Sequence, residues 1–272
     1  MATEETKTST NRYKINITLL SDATFGRGDG VAGLVNQEVE HDALGLPFLR
    51  GRTLKGLLSE ECANILFTLS CQNEGDDDKP VMVQWHASAQ RLFGSSGSGI
   101  DDAAWVHYGN AQLPEPIRQA VAYELGTKER HEPALQKDDI IESLTAIRRQ
   151  TALDEMGVPI DTTLRAMRVV LRSTPFESEL VFQHSILQKA LLKQDLALLG
   201  ACVRAWTRAG TGRNRGRGRL MAALHSNDER NVTQEYLEKF QELTNDPVSQ
   251  KVEADMASDG HQPNTQENGV SL

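Results

Sequence analysis

Long apolar runs are missing from this sequence: no stretch of eighteen or more apolar residues occurs, which argues against a membrane-spanning helix. The first residues, MATEETKTSTNRYK, lack the apolar segment of a secretory signal, so none is expected. Cysteine is scarce, with three residues (Cys62, Cys71, Cys202) and no CxxC pair. That count excludes a disulfide framework and predicts reduced thiols in a cytoplasmic protein. Cys62 and Cys71 have no histidine partner at finger spacing, so a zinc site is not expected. Aromatics make up only 5% of the chain, and an excess of positive charge is absent, the formal net charge being −9. An acidic protein is not one coated in nucleic acid.

What is present is unevenly placed. Residues 201–225 hold six arginines (204, 208, 213, 215, 217, 219) and no acid, and screening over about 8–10 Å lets such a patch act locally on an acidic body. Within it, residues 210–219 read GTGRNRGRGR, four glycines alternating with four arginines. Glycine at that density permits left-handed backbone and close approach to a partner. Arginine supplies planar forks that match phosphate oxygens. The run Leu196–Trp206 before it reads as a helix and Leu220–Leu224 after it as a strand. Dinucleotide fingerprints and P-loops run from strand to helix, so neither fits. An RGG-type disordered segment is the competing reading. The flanking elements favour a built-in loop that grips a polyanion.

Tyr13–Leu20 alternates apolar and polar residues and predicts the first strand. Leu54, Leu57, Leu58, Cys62, Ile65, Leu66 and Leu69 share one helical face, with Thr53 as the expected N-cap. A short helix is expected over 87–93 and a strand over Ala104–Tyr108. Residues 114–165, charged and weakly periodic, predict an excursion from the core. Strands over Met167–Leu171 and Glu179–Gln183 follow, one of them assigned to the excursion, then the second helix, the arginine loop, the last strand and a polar helix over about 232–243. Together these predict an α+β chain with a ferredoxin-like or RRM-like βαββαβ sheet, a thumb-like insertion and a C-terminal glycine-rich loop. One domain is expected over 12–246, with flexible tails at 1–11 and 247–272. Tyr13 is the only aromatic of the first strand and Asn16 holds its middle, so recognition is expected to rest on phosphate rather than base stacking.

Two stretches together carry a family resemblance. Leu46-Pro-Phe-Leu-Arg-Gly-Arg-Thr-Leu-Lys-Gly-Leu-Leu58 resembles the opening of the first helix in RAMP proteins, the repeat-associated subunits of CRISPR effectors, with Arg50 where the family usually has proline. GTGRNRGRGRL resembles the glycine-rich loop of the same superfamily. Leu92-Phe-Gly94, Gly109-Asn-Ala111 and Arg172-Ser-Thr-Pro-Phe-Glu177 are similar to lesser landmarks. The likeness spans about residues 12–225 and is greatest to the Cas-seven-type backbone subunits of type III effectors. It implies a cytoplasmic ribonucleoprotein of antiviral defence, with crRNA, target RNA and other effector subunits as partners and no membrane. On that basis Arg50, Arg52, Lys55, Arg148, Arg149, Gly210, Gly212, Arg213, Arg215, Gly216, Arg217 and Gly218 are expected to contact RNA. Leu144, Ile147 and Leu153 are expected to wedge from the thumb, with Arg165 on phosphate.

The resemblance also implies that such subunits cut target RNA with an aspartate in the loop after the first strand and a divalent metal. That acid should fall near residue 36, where this chain has Asn36-Gln37. An amide is no general base and a weaker ligand for a hard cation. Asp29 or Glu38 substitute if the register differs, while Asp22 and Asp42 read as turn residues. Two readings therefore stay open: a binding subunit that needs no cofactor, and an endoribonuclease using Mg²⁺. A metal-free, histidine-based cut of precursor crRNA is the lesser variant, resting on His41, His107, His131 and His184, with His107 expected to serve packing.

Overall fold

The computed structural model describes residues 11–72, 78–95, 103–126, 135–183 and 188–245. The expected tails, His131 and His184 lie outside them, except for Asn11, which opens the first strand. Strand β1 (Asn11–Leu19) is central because every second residue is apolar: Ile15, Ile17 and Leu19 are buried against helices, while Lys14, Asn16 and Thr18 occupy the opposite face. It pairs antiparallel with β5 (Pro175–Phe182) on one side and β6 (Leu220–Ser226) on the other, and β2 (Val106–Tyr108) closes the far edge. The order β2-β5-β1-β6 is that of a ferredoxin-like βαββαβ sheet. Helices α1 (Gly51–Gln72) and α5 (Lys189–Ala205) supply the two crossovers, joined by α2 (Pro80–Phe93) and α6 (Thr233–Asn245).

Between β2 and β5 the chain leaves the sheet through α3 (Glu115–Gly126) and α4 (Lys137–Leu144). It then forms a separate antiparallel hairpin of β3 (Thr145–Gln150) and β4 (Arg165–Val170). The expected strand at 167–171 is thus the returning arm of the insertion, which reaches past residue 165. Leu144 packs against the core instead of projecting from the arm, whereas Leu153 in the connecting loop is 58% exposed.

Three local expectations change. Thr53 is not the cap of α1. The helix starts at Gly51, whose amide donates to Asn110 Oδ1 at 2.9 Å, so the cap arrives from 59 residues away. The short helix at 87–93 is the end of a longer one, in which Met82, Trp85, Ser88 and Leu92 form the buried face and Pro80 sits at the start. His107 is exposed because strand alternation buries its neighbours Val106 and Tyr108.

Helices α2 and α5 are joined by a polar clamp. Asp195, fully buried, accepts from Ser88 Oγ at 2.6 Å and from Arg91 Nη2 at 2.7 Å, and Arg91 also reaches Gln194 Oε1 at 2.9 Å. Cys62 and Cys202 lie together in the core, where burial pushes the Cys202 thiol well above its ordinary pKa; Cys71 is exposed. No helix among the described residues is long and apolar enough to cross a membrane.

Candidate functional site

The glycine–arginine loop is closed at its neck. Ala209 N donates to Gly218 O at 2.8 Å and Leu220 N to Thr207 O at 2.9 Å, and the indole of Trp206 seals the helix exit by donating to Arg208 O. The neck then docks on the turn after β1, with Thr211 N on Thr24 O and Gly218 N on Asp22 O. Gly210 and Gly218, both left-handed, make this fit: a Cβ would stand 2.5 Å from Thr24 O in the first and 1.8 Å from Ala209 O in the second. At the tip, Arg213–Arg215 form one tight helical turn between the left-handed Gly212 and Gly216.

Facing this loop is the segment from Phe25 to Glu40, folded back on itself through Arg27 N to Glu38 O and Glu38 N to Asp29 O. Its middle is stitched to β4. Asn36 N donates to Ala166 O at 2.7 Å, Asn36 Oδ1 accepts from Ala166 N at 2.8 Å, and Gln37 O accepts from Arg168 N at 2.9 Å. The amide at residue 36 therefore serves as a pairing group. Glu38 is buried beside the Arg168 guanidinium at 2.9 Å and accepts from Val39 N. Asp29 is exposed, and the hydrogen bonds from Arg27 hold its carboxyl below the ordinary range. Mg²⁺ keeps several waters and is usually held by one or two carboxylates together with substrate phosphate. Around position 36 both carboxylates, Asp29 and Glu38, are engaged by guanidinium groups and the amide oxygen is spent on Ala166. Among the described residues no three His, Cys, Asp or Glu side chains form a metal-holding group.

The candidate RNA contacts divide by partner. Arg50 is paired with Glu40, Arg148 with Asp22 and Arg213 with Glu60, at 2.9, 2.8 and 3.0 Å. Arg217 donates to Met167 Sδ. Arg52, Lys55, Arg149 and Arg215 carry no side-chain partner among the described residues, and neither does Arg165. Arg165, Arg215 and Arg217 meet with Asn36, Gln37 and Gln150 around a cleft of about 380 Å³, between the hairpin, the 36–37 strip and the arginine loop. No acid lines it. Arg52 and Lys55 belong to the start of α1, Arg50 directly precedes it, and none of the three lines this cleft. Gln37 stands out in the sequence only as a neighbour of the expected acid position, and Gln150 carries no sequence signal, being an isolated amide from a distant stretch. Asp22 does more than shape a turn, since Oδ1 accepts from Arg172 N and Oδ2 from Arg148, binding the hairpin to the loop after β1. Asp42 shapes its own turn through Leu44 N and Leu46 N. His41 Nδ1 lies 3.3 Å from Asp42 O.

A model of the RAMP superfamily matches residues 16–221. Among solved structures, the chain is similar to a subunit of "Type III-B Cmr-beta Cryo-EM structure of the Apo state". The TM-score is 0.50 at 12% identity, covering 79% of this chain and 97% of that one. It is also similar to one in "Cryo-EM structure of the Type III-B Cmr-beta bound to cognate target RNA", at a TM-score of 0.49 and 11% identity, covering 83% and 98%. At such identity the likeness is one of fold. No curated protein matches the chain.

Proposed function

This chain belongs to the RAMP superfamily, and from that membership we propose that it is a type III CRISPR effector subunit that holds RNA by its backbone. Guide RNA and the guide–target duplex are its ligands, other effector subunits its neighbours, and binding needs no cofactor. The observation that carries the proposal is the acid-free cleft where Arg165, Arg215 and Arg217 converge beside a glycine loop. Guanidinium groups without acidic partners keep their full charge for phosphate, and backbone contact is indifferent to sequence. The same geometry favours a subunit that leaves the RNA it faces intact. Asn36, at the position where the family resemblance expects an acid, is committed to Ala166, and Glu38 to Arg168.

Arg165→Ala and Arg215→Ala are expected to weaken binding of unrelated single-stranded RNAs alike and to lower the slope of log K against log salt by about 0.7 for each lost phosphate contact. Arg213→Ala, which first removes the ion pair with Glu60, is expected to change the slope less. Fluorescence anisotropy at several salt concentrations measures this, and unaltered slopes in both cleft variants contradict the proposal. A cut in labelled target RNA opposite this subunit, abolished by Asp29→Ala, would instead make the chain an endoribonuclease.

A further inference from the structure

Asn36, Gln37 and Thr211 line not only the arginine cleft but also a second cavity of about 400 Å³ on their other side. That cavity differs in character. Its floor is Phe48 and Leu57, both half-buried, over the core residues Phe25 and Leu49. Polar groups stand around it, among them the Thr53 hydroxyl and the Glu40 carboxylate. Phe48 is placed there by its backbone: Phe48 N donates to Glu40 O, and Leu49 bridges to Ala111 and turns into the core. The ring has no aromatic neighbour among the described residues. Gly26 and Gly28 form part of the wall, and a Cβ at either would meet nothing within 4 Å, so a flat group has room to enter.

An apolar floor with a polar rim, which includes Asp29, Glu40, Arg50 and Arg213, and this volume suit a small, flat, partly polar ligand. The shared wall ties that ligand to an anion in the neighbouring cleft. We infer that the Phe48 cavity receives one unpaired nucleobase, stacked on the phenyl ring, of the strand whose phosphate lies among Arg165, Arg215 and Arg217. The inference rests on the RNA-binding reading above and departs from the sequence-based expectation that stacking plays no part.

The test compares the full-length chain with its Phe48→Ala, Phe48→Leu and Phe48→Trp variants, each first matched for melting temperature. Two probes of equal length are used: oligoadenylate, and an abasic sugar–phosphate oligomer that carries the same charges without bases. Stacking of one base on an aromatic ring makes the expected loss in Phe48→Ala about 5- to 150-fold on oligoadenylate. Phe48→Trp is expected to retain binding, and Phe48→Leu to lose it. On the abasic oligomer all four proteins are expected to bind equally. Equal losses on both probes, or a leucine variant as good as wild type, overturn the base subsite and leave the arginine cleft standing. Absence of RNA affinity in the wild type, with no effect of Arg165→Ala or Arg215→Ala, overturns both.

Discussion

Replacing Asp195 by alanine is expected to cost the fold about 3–5 kcal/mol, the usual penalty for stranding one partner of a buried ion pair. Asp195 is fully buried, and the Arg91 side chain that faces it is 12% exposed, so the guanidinium left behind has little water to turn to. Among the described residues its side chain would keep Gln194 Oε1, and Ser88 Oγ would lose the Asp195 acceptor. At roughly 2–4 °C per kcal/mol for a chain of this size, the melting temperature should fall by about 6–20 °C. Removing both charges in the double variant Arg91→Met, Asp195→Leu should recover much of the loss, because well-packed apolar residues often match a buried pair. A melting shift within two degrees of wild type in Asp195→Ala would mean that the clamp contributes no net stability. The prediction is independent of any RNA, since the clamp joins α2 to α5 on the helical side of the sheet.

Gly218→Ala should have the largest effect on the site itself. Left-handed backbone costs a residue with a Cβ about 1–2 kcal/mol. At Gly218 the added carbon also meets Ala209 O at 1.8 Å, a backbone atom that cannot swing aside. Relief requires breaking the bond from Ala209 N to Gly218 O or that from Gly218 N to Asp22 O, and either opens the neck of the loop. RNA affinity should then drop by at least about tenfold while far-ultraviolet circular dichroism stays close to wild type, because the loop lies outside the sheet. Gly216→Ala is the matched control: its backbone is equally left-handed, but a Cβ there meets nothing within 4 Å. It should lose only a few-fold. Equal effects of the two variants would show that conformational preference, not the closed neck, governs the loop.

The elements legible in the sequence are those whose one-sided burial leaves a period. β1 alternates, α1 repeats its apolar face, and α5 passes from a buried helix into a loop whose composition is unmistakable, so the ferredoxin-like order could be assembled. The hairpin strand β3 escaped because its sequence, TAIRRQ, buries only Thr145 fully and offers no alternation. The first turns of α2, residues 80–86, do not read as helix because Met82 and Trp85 alone carry their buried face and the apolar repeat is too short there to show a period. At the site, the arginines could be counted but not sorted. Whether a guanidinium is available depends on acids far away in the chain: Asp22 for Arg148, Glu60 for Arg213. The same holds for Phe48, which reads as one more apolar residue of a helix-opening motif until Gly26, Gly28 and Gly210 are brought around it.

The position of β1 between β5 and β6 sets a timetable for synthesis. The strand is made well before its neighbours, which pair with it in the registers Ile17 to Phe176 and Leu19 to Leu220. At roughly 5–20 residues per second, β6 is made about 10–40 s after β1. Until β5 is made Ile15, Ile17 and Leu19 have a bare strand edge on each side, and one edge stays bare until β6 follows, the state most open to pairing with a foreign chain. The polar residues at alternate positions, Lys14, Asn16 and Thr18, keep the other face of the waiting strand wetted. The arginine loop lies just upstream of β6, so the loop and the last strand of the sheet are delivered together. A nascent chain thus cannot close the neck of the arginine loop before its own sheet is ready to close.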